Sequence, residues 1–170
     1  MSRYTEMYRA LGMLRSRSHL EVNRVAEVHA AIIRALQDEL GVSAETRAIS
    51  SEPRAPVTND VYARTPDQAA VYTNVITVVL RDEGGAPGGA HATFTFTMKY
   101  SVGPYEAADD QAARTVPVVV RISTHARDIA VADDQGAREA AIAIVSACEY
   151  YLGRCAEADG RPATVDVDRA

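Results

Sequence analysis

The run HATFTFTMKYSV (91–102) alternates without a slip, and it limits the fold more than any other part of the chain. Ala92, Phe94, Phe96, Met98, Tyr100 and Val102 fall on one side of an extended strand, and His91, Thr93, Thr95, Thr97, Lys99 and Ser101 on the other. A period of two gives a strand one apolar and one polar face, so this strand belongs to a sheet covered on one side. VYTNVITVVLR (71–81) precedes it, rich in β-branched residues and apolar towards both faces at its end, as a central strand is. The intervening RDEGGAPGG holds four Gly and Pro87 and predicts a hairpin with a long loop over 82–90. TVPVVVRIST (115–124) predicts a third strand with Val116, Val118, Val120 and Ile122 inward, and Pro117 places it at a sheet edge or at a strand start. ATVDVD (163–168) also alternates and predicts a short edge strand.

Helical periodicity brackets these strands. Met7, Tyr8, Leu11 and Leu14 suit a short helix over 4–15, which Gly12 weakens by up to about 1 kcal/mol. Ser18 followed by Glu21 reads as a capping box for a second helix over 19–40. Its apolar stripe runs through Val22, Val25, Ala26, His29, Ile32, Ile33, Leu36 and Leu40, and Gly41 stops it. A last helix starts at a cap on Asp133 or Asp134 and carries Ala137, Ala140, Ala141, Ile144, Val145, Cys148, Tyr151, Leu152 and Cys155, with Gly160 and Pro162 closing the segment. Residues 42–70 contain Pro53, Pro56 and Pro66 and predict a long loop, with short strands near 45–50 and 59–64 as the alternative. The expectation is an α+β fold in α-β-β-β-α order: an antiparallel meander of three to four strands against two long amphipathic helices. It forms a single domain over 1–170, with a helical extension at 1–17 and a tail at 159–170.

At 170 residues, 47% hydrophobic and 24% charged, the composition fits one globular domain and excludes disordered, collagenous and disulfide-stapled chains. No apolar run reaches the 18 or so residues that span a bilayer, and Arg3, Arg9, Arg15 and Arg17 break any secretory signal, so no membrane partner is expected. Cys148 and Cys155, seven apart on one helix, lie about 10 Å apart along its axis, too far for a disulfide. They read as buried thiols of a cytoplasmic protein.

Lys99 is the single Lys beside 17 Arg. Residues 1–24 carry five Arg against Glu6 and Glu21, whereas 105–170 carry 12 acids against seven Arg. This polarity suits head-to-tail contact between copies, or one basic face turned towards a partner. The Arg residues of the first 24 form no single helical stripe and have no interleaved aromatic platforms, and the net charge is −5, which argues against nucleic acid.

Catalytic signals are weak. His29 lies in an apolar stripe and reads as a satisfied core histidine. His125, followed by Asp128, Asp133 and Asp134, is the best base or metal candidate, but its spacing matches no ligand pattern. Glu106, Asp109 and Asp110 lack the oxygen spacing of an EF-hand, and GGAPGG lacks the Lys and the following helix of a P-loop. No cofactor or metal is therefore expected. One enzyme or ligand-binding alternative would line a pocket with Tyr72, Phe94, Phe96, Met98 and Tyr100 and use His125 as base. Another would bind extended peptides along an open strand edge, as a chaperone or adaptor does, although Pro117 guards the edge at 115–124.

TVPVVVRISTHARDIAVADDQGAREAAIAIVSACEYYL (115–152) runs from a valine-alternating strand through an acidic loop into an Ala-rich helix. Preceded by a helix and a β-ribbon, this order resembles the tail terminators and head–tail completion proteins of tailed-phage necks over residues 19–155. The resemblance implies a non-enzymatic, ring-forming assembly protein, commonly hexameric, that caps a tail tube or joins head to tail and resides in the virion. Candidate contact residues are Arg3, Arg9, Arg15, Arg17 and Arg24 on the basic region, Thr93, Thr95, Thr97 and Lys99 on the polar strand face, and Asp109 and Asp110 in the acidic region.

Overall fold

The computed structural model describes residues 3–43, 48–54, 69–81, 91–103, 117–157 and 164–166. Helix α1 spans Arg3–Leu40 and is followed by β1 (Ile49–Arg54), β2 (Ala70–Arg81), β3 (His91–Val102), β4 (Val118–Ile122), β5 (Ile129–Val131), α2 (Asp134–Glu157) and β6 (Thr164–Asp166). The fold is α+β, with an antiparallel β1-β2-β3-β4-β5 meander. Strand β6 pairs in parallel with Thr93–Thr95, on the edge of β3 that β4 leaves free below Met98. The sheet thus has six strands among the described residues, more than the three to four expected.

The added strands are β1 and β5. Strand β1 occupies six residues that the prolines had marked as loop, and Ile49 is its one aliphatic residue. It forms because β2 offers a full backbone ladder, so pairing overrides the poor strand propensity of ISSEPR. Pro53 is tolerated because β1 is an edge strand. Pro117 immediately precedes β4 and so stands at a strand start, while β5 covers the far side of β4. Residues 59–64, 82–90 and Val116, also assigned roles from sequence, lie outside the described residues.

Helix α1 is one continuous element of 38 residues, about 57 Å long at 1.5 Å per residue. No break occurs at Ser18, which corrects the reading of two helices. Neither Gly nor Pro separates the segments, and Gly12 alone costs too little to stop a helix. Glu21 turns inward: it is almost fully buried, and Tyr72 donates its hydroxyl to Glu21 Oε2 at 3.4 Å. Val22 is correspondingly exposed, and Val28 takes a core place beside Val25, Ile32 and Leu36. The helix ends as Gly41 predicts. That residue adopts φ +64°, and the amides of Gly41 and Val42 return to the carbonyls of Asp38 and Gln37, satisfying two orphan acceptors.

Asp133 caps α2, accepting the Gly136 amide on Oδ1 at 3.1 Å. Both helices cover one face of the sheet. Ala137, Ala140, Ala141, Ile144 and Cys148 of α2 join the α1 stripe over Ile76, Val78, Phe94, Phe96, Met98, Val118, Val120 and Ile122. Small residues let α2 approach closely. A Cβ on Gly136 would stand 2.7 Å from the Ala130 carbonyl oxygen and 3.0 Å from Val131 Cα. Cross-ties fix the helices as well: Arg24 donates to the Ala132 carbonyl at 3.2 Å, and Arg138 pairs with Glu39 at 2.7 Å.

Candidate functional site

Among the described residues, three places carry features that the fold alone does not require. The first is a buried polar seam between α1 and the sheet. Tyr72 and Tyr100 are paired across β2 and β3, and both hydroxyls reach α1. Tyr100 is fully buried, with its oxygen 2.6 Å from His29 Nδ1 and the rings edge to face at 5.7 Å. Burial pushes the Tyr100 phenol up and the His29 imidazole down. Both shifts fit a neutral His29 accepting the Tyr100 O–H. His29 is thus the satisfied core histidine that its position predicts.

The second is a cleft of about 300 Å³ on the opposite side of the sheet, lined by Thr97, Lys99, Arg121, Ile122, Ser123 and His125. Register creates it. Lys99 and Arg121 are direct partners across β3 and β4, and the turn closed by His125 N–H to the Ile122 carbonyl (3.0 Å) brings His125 into the same lining. Ser123 Oγ accepts the Thr97 amide at 3.2 Å. Asp128 holds Arg121 through two hydrogen bonds, at 2.6 and 2.8 Å, which lowers the Asp128 pKa and raises that of Arg121. Two of the three acids that follow His125 are engaged by other groups, Asp128 by Arg121 and Asp133 at the helix cap, while Asp134 is exposed in the first turn of α2. No group of three metal-ligating side chains occurs among the described residues.

The pocket expected from Tyr72, Phe94, Phe96, Met98 and Tyr100 with His125 is corrected by this arrangement. Phe94, Phe96, Met98 and Tyr100 are packed into the core and Tyr72 lies on the same helix side, whereas the cleft holding His125 opens on the other face. Cys148 is buried and free, and its thiol is pushed up to about 12 by desolvation, which makes it inert at neutral pH.

The third is the N-terminal part of α1. Tyr4, Met7, Tyr8 and Met13 are between 67% and 77% exposed, and the Tyr4 and Tyr8 rings stack at 6.4 Å. Tyr4, Met7, Tyr8 and Leu11 stand at i, i+3, i+4 and i+7, the spacing of a helix face made to be covered. Arg3 and Arg9 are exposed beside it. The outer face of α2 exposes Glu139, Ile142, Glu149 and Tyr150 at spacings that share one side, with the Arg154 guanidinium 5.9 Å from the centre of the Tyr150 ring.

Of the contact residues expected from sequence, Arg3 and Arg9 stand on this arm, and Thr93, Thr95, Thr97 and Lys99 share the non-helical face of β3. Arg24 is a correction. Its guanidinium is largely buried, bonded to Glu27 at 3.4 Å and to the Ala132 carbonyl, so it joins α1 to the start of α2. Arg15 and Arg17 belong to α1, but their side chains, like Asp109 and Asp110 altogether, lie outside the described residues. Sequence reasoning missed Arg121, whose strand position gave no sign that Lys99 would stand opposite. Among the described residues no helix is long and apolar enough to cross a membrane. No family model matches the chain, and no curated protein or solved structure is significantly similar to it.

Proposed function

We propose that this protein is a non-enzymatic assembly protein that self-associates head to tail, the N-terminal arm of one copy lying on the outer face of α2 of the next. The observation that carries this reading is the uncovered stripe on α1. Tyr4, Met7 and Tyr8, on one side of the helix, together expose on the order of 400 Å² of mostly apolar surface, within the range of the largest patch of a typical monomer. Aromatic residues, Met and Arg are the types that interfaces favour, and the arm combines all three. Glu139 and Glu149 on the same side of α2 as Ile142 and Tyr150 offer carboxylates to Arg3 and Arg9, although Arg154 over the Tyr150 ring leaves that face mixed in charge. An arm and a receiving face at different places on one chain make a heterologous contact, which closes into a ring when the rotation permits. A ring is also what the resemblance to phage neck proteins implies.

A charge swap tests the contact. Arg9→Glu and Glu149→Arg each set like charges against each other and weaken association, and the doubly substituted chain restores it. Full-strength association by both single variants would refute the arrangement.

A further inference from the structure

We infer that the cleft on the open face of the sheet is an oxyanion site that takes a carboxylate or phosphate group. Like charges directly opposite on adjacent strands destabilise a sheet, yet Lys99 and Arg121 are paired in register. Asp128 compensates only Arg121, and among the described residues no carboxylate forms an ion pair with Lys99. The compensation is also partial. Asp128 occupies Arg121 Nε and Nη2, leaving three of the five guanidinium N–H bonds for a second acceptor.

The remaining lining completes a donor set. Ser123 Oγ accepts the Thr97 amide and keeps its own proton to donate, and the His125 ring offers an N–H. Two cations, a hydroxyl and an imidazole lining one concavity provide charge-assisted bonds for an oxyanion. A space of about 300 Å³ stands at the lower end of ligand sites, so it suits a single anionic group or one acidic side chain. The site is separate from the α1 arm and does not depend on self-association.

The test is a titration of the isotope-labelled full chain with inorganic phosphate and, separately, with triglutamate, at constant ionic strength set by sodium chloride. Amide and side-chain signals of Thr97, Lys99, Ser123 and His125 shift saturably with at least one titrant below about 10 mM, and Lys99→Gln weakens that binding at least about tenfold. Lys99 is exposed and unpaired among the described residues, so the variant keeps its fold, and the unchanged spectrum of the core verifies this. Saturation by phosphate alone identifies a phosphate ligand, and saturation by triglutamate alone an acidic peptide. No saturation with either, or equal affinity in Lys99→Gln, overturns the inference.

Discussion

Removing the Tyr100 hydroxyl separates the two things that the His29–Tyr100 pair does. Tyr100→Phe keeps the ring in the core and deletes one hydrogen bond, whose net worth is about 1 kcal/mol. It also leaves His29 Nδ1 without its partner inside the α1–sheet seam, which costs about 1–3 kcal/mol in desolvation when water cannot replace the bond. His29 is only half-buried, so the sum should fall near 2 kcal/mol. For a chain of 170 residues that lowers the Tm by roughly 4–8 °C. Adding His29→Leu to Tyr100→Phe removes both polar partners, and the double variant should lose less than the sum of the single losses, by about 1 kcal/mol. A pH series supplies an independent readout. Burial holds the folded His29 below its ordinary 6.5, so between these two values the unfolded chain binds the proton and the folded one does not. The pair's contribution is therefore complete above 6.5 and declines as pH falls towards the folded value, with a slope of at most about 1.4 kcal/mol per pH unit. His29→Leu should lack this component. Urea titrations across pH 5–8 read all of these quantities. A Tyr100→Phe loss below about 0.5 kcal/mol, or identical pH dependence in wild type and His29→Leu, refutes the reasoning.

Two further outcomes follow from the packing. Gly136→Ala gains up to about 1 kcal/mol of helix propensity but places its methyl against the backbone of β5, so chemical denaturation should show a net loss of about 1–3 kcal/mol; a stabilised variant would mean that α2 can move off the strand. Cys148, buried and with a pKa of about 12, should react with iodoacetamide at pH 8 at least about a hundredfold slower in the native chain than in urea, measured on a Cys155→Ser background; equal rates would show that α2 does not cover it.

The parts of the fold legible in the sequence are those with long, unbroken periods. Strand β3 alternates over twelve residues, and its faces divide as the pattern requires, with Phe94, Phe96, Met98, Tyr100 and Val102 buried. The Gly41 stop and a cap at Asp133 or Asp134, of which the structure selects Asp133, are equally readable, because each depends on one residue and its immediate neighbours. Strand β1 is not. Its stability comes from the ladder with β2, and ISSEPR carries no signal of that partner. Strand β5, three residues long, is too short to show a period. Ser18 and Glu21 misled because a capping box is also an ordinary helix-interior sequence when the preceding turns stay helical. The cleft was half legible. Lys99 stands out as the single lysine and His125 as a polar strand-end residue, but only the β3–β4 register sets Lys99 against Arg121 in the cleft that His125 also lines.

The central claim is self-association through the N-terminal arm, and native mass spectrometry of the full chain at about 20 µM tests it most directly. The account predicts a closed oligomer of more than two copies, reduced to monomer by Met7→Glu combined with Tyr8→Glu, with the monomer's circular dichroism unchanged. A wild-type chain that remains at its 18.3 kDa monomer mass throughout, or an oligomer untouched by the double substitution, would contradict it.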